Sequence, residues 1–410
     1  MIYSKSFLNA SRVEAKFFTR ERKMRFSEYI LFILRSSKRS LQVGLDFFFD
    51  EIDNEPRLYS RQAFSKGRQR ILYQAFEMLF RSTVSEFYQN KGYQTWNGYR
   101  LLAVDGSDLN LPNTPELLQE FGSQPFTQGS QVQGLASCLV DVLNGVIVDA
   151  LLAPFHANER ALAQQHLDSD FQLEGTKDIL LADRGYPCTA LIEQCEKMGT
   201  FYLFRCNKDN FFAEIRDVKG TDEIVQRKMK NGKHLKLRVV QIPIGDKIET
   251  LITNLGAEYH TEDLKELYHL RWGIETCYDS LKNQMQLENF SGCSKNVILQ
   301  DFYATMTVFN LVSAMMNDVR AEVSEKRHEE HDGKPLKYEY KLNRATAISH
   351  AKNILVSALL TDNPRQQTKL LKRMYKYLAH SVVAIVPDRS YPRQHAHPAL
   401  RYPNNTNFNP

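Results

Sequence analysis

The 410-residue sequence contains no C-x-x-C pair: Cys138, Cys188, Cys195, Cys206, Cys277 and Cys293 stand singly. Isolated cysteines argue against a structural zinc site and against a disulfide framework, and they fit a reducing cytoplasm. Neither a G-x-x-x-x-G-K-[ST] nor a G-x-G-x-x-G phrase occurs, so the familiar phosphate cradles of nucleotide-binding proteins are missing. No apolar core of signal-peptide length opens the chain. The longest apolar-looking run, YATMTVFNLVSAMM at 303–316, is too short to span a bilayer, so no membrane role is expected. No internal repeat is visible.

Apolar residues make up 42% of the chain and charged ones 25%, as in a globular protein with room for two or three domains. The net charge of +5 is unevenly placed: residues 1–100 hold 18 Lys or Arg against 10 Asp or Glu, so the remainder is slightly acidic. A basic first segment suits contact with a polyanion. It reads as helical, with apolar residues at helical spacing in SEYILFILRSS and RILYQAFEMLFRSTVSEFY. Between them, SRQAFSKGRQRI carries a dense basic face. For Lys66, Arg68 and Arg70, a solvated surface and a DNA-facing surface are evenly matched.

From Arg100 the pattern turns to strand. A run over 100–105 ends on Asp105, and a loop rich in Pro, Gln and Gly leads to the strand QGLASCLVDVL. Asn144-Gly145 signals a hairpin into VIVDALLAP. A helix near 157–168, the strand DILLAD ending on Asp183, a helix near 187–198 and the strand FYLFR follow. Residues 209–255 read as a β-rich insert with a KNGK turn. Further on, a helix near 296–319 precedes the charged stretch EVSEKRHEEHDGKPLKYEYK, expected as an exposed connection, and 344–380 reads as two amphipathic helices.

Tyr268, Arg271, Glu275 and Lys282 lie in ELYHLRWGIETCYDSLKNQM. At 100° per residue these intervals place all four within about a 60° arc of one helix. An acid flanked by a phenol, a guanidinium and an ammonium makes a poor core. It is well suited to holding a metal beside a phosphodiester, with Glu on the cation and Arg and Lys on phosphate oxygens. Leu267, Ile274, Leu281 and Met285 form a neighbouring apolar stripe for packing. Taken alone, Asp105-Gly106 and Asp183-Arg184-Gly185 each read better as turns, and Glu275 alone could be a surface acid paired with Lys282. The helix stripe with two strand-end acids tips the balance. Asp108 is better placed for an Asx turn, and Asp279 is a weaker candidate on the Glu275 face.

The spacing Y-x2-R-x3-E-x6-K, together with DGSDLNLP, ANERALAQQHL, ADRGYP, FTRERKMRFSEYILFIL and RQAFSKGR in order, resembles the insertion-sequence transposases of the family-four type. The resemblance covers most of the chain, with the insert and the tail weakest. It implies an Asp-Asp-Glu metal triad of Asp105, Asp183 and Glu275, with Tyr268, Arg271 and Lys282 on phosphates at the transposon end. It also implies that Trp272 stacks on a displaced base, with a core or shelf Trp a comparable reading. The helix carrying Lys66, Arg68 and Arg70 resembles the one by which relatives approach DNA. Relatives that form a terminal hairpin place a second Trp in the insert. Residues 209–255 contain none, leaving Phe211 or Phe212 as the aromatic available.

The element order is that of a ribonuclease H-like α/β core with a mixed sheet. The expected division is a helical DNA-binding domain at 1–98, a catalytic domain at 99–320 with the insert near 209–255, a helical C-terminal region at 321–387 and a basic flexible tail at 388–410. In such a core the first and fourth strands are neighbours, so Asp105 and Asp183 should meet and converge with Glu275 on one electronegative pocket. Two Mg²⁺ ions about 4 Å apart, with Mn²⁺ as a substitute, suit three carboxylates. No His or Cys cluster competes for a softer metal, and His156 and His166 read as satisfied helix-end residues. The implied activity is metal-dependent cleavage at the inverted repeats of an insertion sequence and transfer of the 3′ ends to target DNA. The implied partners are double-stranded DNA and a second copy of the chain in a homodimeric end complex, in the cytoplasm at the nucleoid. Two other readings stay open: a ribonuclease H-like DNA nuclease without strand transfer, and a non-catalytic DNA-binding descendant.

Overall fold

The structure is a computed structural model. It describes residues 1–386 apart from 21, 36–39, 54–55, 90–91, 128, 170–171, 174, 210, 229–231, 233, 245–246, 331–337 and 362, and apart from the side chains of 244, 321–322 and 324–330. The tail expected at 388–410 and most of the KNGK turn lie outside the described residues.

In chain order the helices are α1 (Lys5–Ser11), α2 (Phe26–Arg35), α3 (Leu41–Asp50), α4 (Arg61–Arg68), α5 (Gln74–Gln89), α6 (Pro115–Phe121), α7 (Glu159–Asp168), α8 (Thr189–Met198), α9 (Ala213–Arg216), α10 (Thr261–His269), α11 (Gly273–Asp279), α12 (Lys295–Glu330), α13 (Arg344–His350), α14 (Val356–Leu360) and α15 (Pro364–His380). The strands are β1 (Tyr99–Asn110), β2 (Ser123–Phe126), β3 (Gly129–Asp141), β4 (Val146–Pro154), β5 (Lys177–Ala182), β6 (Phe201–Cys206), β7 (Asp222–Lys228), β8 (His234–Ile244), β9 (Lys247–Thr253), β10 (Glu339–Leu342) and β11 (Val382–Ile385).

By compactness the chain forms two units, one of residues 1–89, 109–134 and 279–410, the other of 90–108 and 135–278. In the first, α12 packs against α5, α2 and α15. Its Lys295–Arg320 stretch would be long and apolar enough to cross a bilayer, but 83% of its most apolar window is buried inside the protein. It is a core helix. α12 also runs on to Glu330, through part of the charged stretch expected as a connection.

The second unit holds most of a mixed sheet, in the order β4-β3-β1-β5-β6-β9-β8-β7, while β2 and the start of β3, which pair antiparallel, fall in the first. Within that sheet, β4-β3-β1-β5-β6 is the strand order of a ribonuclease H-like core. The β3–β4 hairpin turns through Val142–Gly145, longer than the two-residue turn read from Asn144-Gly145. Gly145 takes a φ of 62°, where a side chain would be strained. The insert extends this sheet: β9 pairs antiparallel with β6, β8 with β9 and β7 with β8.

β1 and β5 pair in parallel, with Arg100 opposite Asp178 and Ala103 opposite Leu181. Arg100 is fully buried and grips Asp178 through two hydrogen bonds of 2.8 Å. A one-residue slip would separate these charges and turn every side chain to the other face. In this register Asp105 and Asp183 each fall two residues beyond the Ala103–Leu181 pair. Asp183 lies just past the end of β5, whereas β1 runs on to Asn110, so the strand expected to stop at Asp105 continues through it. The pair that pins the register thereby sets the two acids level with one another.

Candidate active site

Asp105 follows the fully buried run Leu101–Val104 of β1 and is itself half-buried. Its Oδ1 accepts from the Gly106 amide at 3.0 Å, and its backbone carbonyl accepts from the Tyr278 hydroxyl at 2.9 Å. That hydroxyl also reaches the carbonyl of Ala136 at 2.8 Å, tying α11 to both β1 and β3. Burial pushes the Asp105 carboxyl up to about 6, with Glu159 and Glu275 adding to the rise and the Gly106 amide and Arg271 opposing it. Asp183 accepts from the Arg184 amide at 2.7 Å and stands 3.4 Å from both the Arg205 guanidinium and the Tyr268 hydroxyl. Arg205 is held in turn by Glu249 through two contacts of 2.6 Å.

The helix carrying Glu275 is not one uniform α-helix. α10 passes into a 3-10 turn at Leu270–Trp272, then α11, then a π turn at Ser280–Gln284. The packing stripe holds throughout: Leu267, Ile274, Leu281 and Met285 are fully buried. Gly273 is required for close approach, since a Cβ there would lie 2.9 Å from Val142 Cβ on the β3–β4 turn. The polar stripe holds as far as Glu275, where Arg271 Nη2 meets Glu275 Oε1 at 2.8 Å. Beyond it the chain enters the π turn that holds Lys282, so the single uniform helix expected over this segment is corrected there. Lys282 is half-buried within that turn. Trp272 is 51% exposed with its ring edge-on to His269, which removes the core reading of this indole.

The Arg271 guanidinium faces Glu275, Asp183 and Asp105, and it lies 5.8 Å from the Tyr268 ring centroid. Burial pushes the Tyr268 hydroxyl up, so it is a neutral hydrogen-bond donor. The donor chemistry of the three acids fits a hard divalent cation, being all oxygen with no thiol or imidazole among them. Among the described residues, however, no three His, Cys, Asp or Glu side chains are grouped closely enough to enclose an ion. The convergence expected of the triad is therefore met by a shared guanidinium rather than by three carboxylates closed on one point.

One basic residue of the N-terminal segment is placed otherwise than expected. Arg68 is 3% exposed: it pairs with Asp301 of α12 at 2.6 Å and donates to Gln300, Ser291 and the carbonyl of Val297. Its charge is spent inside the unit, and it cannot reach a phosphate without breaking that network. Lys66 stays exposed, and Arg70 lies 5.0 Å from the Phe17 ring centroid. Phe212 is also corrected as a stacking candidate, being 7% exposed and covered by Arg227 and Phe211. His166 is fully buried between Ser137 and Asp149, a satisfied core histidine.

Sequence reasoning missed Glu159. The phrase ANERALAQQHL contains it, but nothing local shows that the first residue of α7 lies against β1. The Glu159 carboxylate rests over Gly106, and its Oε2 accepts from the Tyr186 hydroxyl at 2.7 Å.

Residues 96–311 match the transposase DDE domain family. The chain is 23% identical over 268 residues to Transposase InsG for insertion sequence element IS4 of Escherichia coli (strain K12), covering 61% of this chain and 60% of InsG. It is 30% identical over 118 residues to the Putative transposase InsZ of the same organism, covering 27% of this chain and 38% of InsZ. The chain thus matches about three fifths of the length of InsG and less of InsZ. Among solved structures, the piggyBac transposase synaptic complex with hairpin DNA aligns with a TM-score of 0.44 at 12% identity, covering 91% of this chain and 81% of that one.

Proposed function

The chain belongs to the transposase DDE domain family, and on that premise we propose that it binds the ends of its own insertion sequence, cleaves the DNA there and joins the 3′ ends to target DNA. The observation that carries this reading is the alignment of Asp105 and Asp183 on two neighbouring parallel strands, with Glu275 facing them across Arg271. Asp105, Asp183 and Glu275 would hold two divalent ions, Mg²⁺ with Mn²⁺ as a substitute. When bound, such ions lower the cost of forming the attacking oxygen and stabilise the leaving one.

The chain's own residues do the rest by position and charge. Arg271 and Lys282 supply cations to phosphates of the bound end, and Tyr268 donates a hydrogen bond from a hydroxyl that stays protonated. As Arg271 turns from Glu275 to a phosphate, it relieves the pairing that occupies the acid in the DNA-free chain. The exposed Trp272 indole offers a stacking face for an unpaired base. Lys66 and Arg70 are the N-terminal cations left for the DNA backbone. The assembly would be a homodimer on paired ends, acting in the cytoplasm at the nucleoid.

The test is a reconstituted reaction with the full chain, a duplex bearing the inverted repeat that flanks its reading frame, and Mg²⁺. Cleavage at the repeat followed by covalent joining to a second duplex is expected, with Asp105→Asn, Asp183→Asn and Glu275→Gln inactive but still binding the end. Cleavage without joining would replace this reading with a nuclease. End binding with no cleavage in Mg²⁺ or Mn²⁺ would leave a DNA-binding descendant.

A further inference from the structure

Among the described residues, the acids expected at the site make direct contacts with their own loops and with cations. Glu159 is different. It is the first residue of α7, capped by the Asn158 side chain, and it reaches across to two other elements at once. Its carboxylate lies over Gly106, the residue directly after Asp105: a Cβ at Gly106 would come 3.2 Å from both Cδ and Oε2 of Glu159 and 3.1 Å from Leu135 Cδ1. Its Oε2 accepts a hydrogen bond from the hydroxyl of Tyr186, three residues after Asp183, at 2.7 Å. The next residue, Arg160, donates from Nε to the carbonyl of Gly185 at 2.8 Å. The first turn of α7 therefore grips the loop that follows Asp183 while seated on β1 beside Asp105.

Tyr186 is suited to be the fixed point. It is 2% exposed, and burial first, with Glu159 second, pushes its hydroxyl far above the usual phenol range, so it remains a donor at any pH the protein meets. Glu159 is itself exposed. A glycine after Asp105 suits the same contact, because a side chain there would press on the carboxylate.

We infer that Glu159 is a positioning residue of the reaction centre: through Tyr186 and Gly106 it holds Asp105 and Asp183 at the separation the chemistry needs. This rests on the transposase reading above. A catalytic group displaced by a fraction of an ångström loses much of its rate while substrate binding is spared. Removing partners that orient a reactive group typically costs about 10–100-fold.

The experiment compares Glu159→Ala, Glu159→Gln, Tyr186→Phe and the double variant Glu159→Ala/Tyr186→Phe in the full chain. It measures single-turnover cleavage of an end duplex, the Kd for that duplex, and the melting temperature. The alanine and phenylalanine variants should each lose about 10–100-fold in cleavage rate with Kd unchanged. The double variant should lose no more than the worse single one, because both act along one route. Glu159→Gln should recover most of the rate, since its amide oxygen still accepts from Tyr186. Wild-type rates in Glu159→Ala, additive losses, or a glutamine variant as slow as the alanine variant would each overturn the inference. If Glu159→Ala fails to fold, the near-isosteric Glu159→Gln and Tyr186→Phe still decide it. Asp105→Asn runs alongside: if it remains active, the transposase reading fails, whereas an inactive Asp105→Asn beside an intact Glu159→Ala refutes the Glu159 role alone.

Discussion

Arg68→Ala separates a structural arginine from a DNA-binding one. The side chain is 4% exposed and Asp301 17%, so the ion pair is largely withdrawn from water. Deleting one member of such a pair typically costs about 3–5 kcal/mol, because the other charge stays buried. Asp301 keeps two local partners, the Ser291 amide and hydroxyl, each at 2.8 Å, which places the expected loss near the lower end, at about 3 kcal/mol. For a cooperative unit of about 150–250 residues that is a fall in melting temperature of roughly 6–12 °C. Calorimetry or denaturant unfolding reads the stability, and end-DNA titrations across salt read the phosphate contacts. The slope of log K against log salt should be unchanged in the folded Arg68→Ala protein, while Lys66→Ala should keep its stability and lower that slope by about one contact. A variant that melts with the wild type and binds DNA with a reduced slope would refute this reasoning and return Arg68 to the DNA surface.

Asp105→Asn should raise metal-free stability at neutral pH. Its folded pKa of about 6 lies above the ordinary carboxylate value of 3.8, so its contribution is fully present below about pH 4 and is lost as pH rises through about 6. After allowance for partial exposure the gain is about 1–3 kcal/mol at pH 7, and a variant no more stable than wild type at pH 7 would contradict the burial argument. Arg271→Ala should lower the metal-free melting temperature and make its rise on adding Mg²⁺ larger than in wild type, since the guanidinium is the positive charge facing Asp105, Asp183 and Glu275. An equal Mg²⁺-induced rise in both proteins would count against it. Arg100→Ala should cost about 3–5 kcal/mol, with most of it recovered in Arg100→Met/Asp178→Leu. If that double variant also keeps full cleavage, the pair is not needed to hold the β1–β5 register.

The sequence by itself determined whatever rests on local periodicity. The apolar stripe of Leu267, Ile274, Leu281 and Met285 is fully buried, as a helical repeat requires. The strand before Asp183 stops where its apolar run meets the acid, although β1 runs past Asp105 to Asn110, and Gly145 turns the hairpin with a positive φ. Tertiary structure alone decided the contacts that join distant segments. Arg68 and Lys66 sit two residues apart on one short helix with the same charge, yet one is buried on Asp301 and the other exposed, because only the packing of α12 distinguishes their faces. Arg100 and Asp178 each look like an ordinary strand charge until β1 and β5 pair and place them opposite one another. The π turn that holds Lys282, and the carboxylate of Glu159 resting on Gly106, likewise have no local signature. A helix or strand repeat reports which face is apolar, since that is set by neighbours three, four or two residues away. Which charge meets which partner is settled by segments that approach only when the whole chain folds.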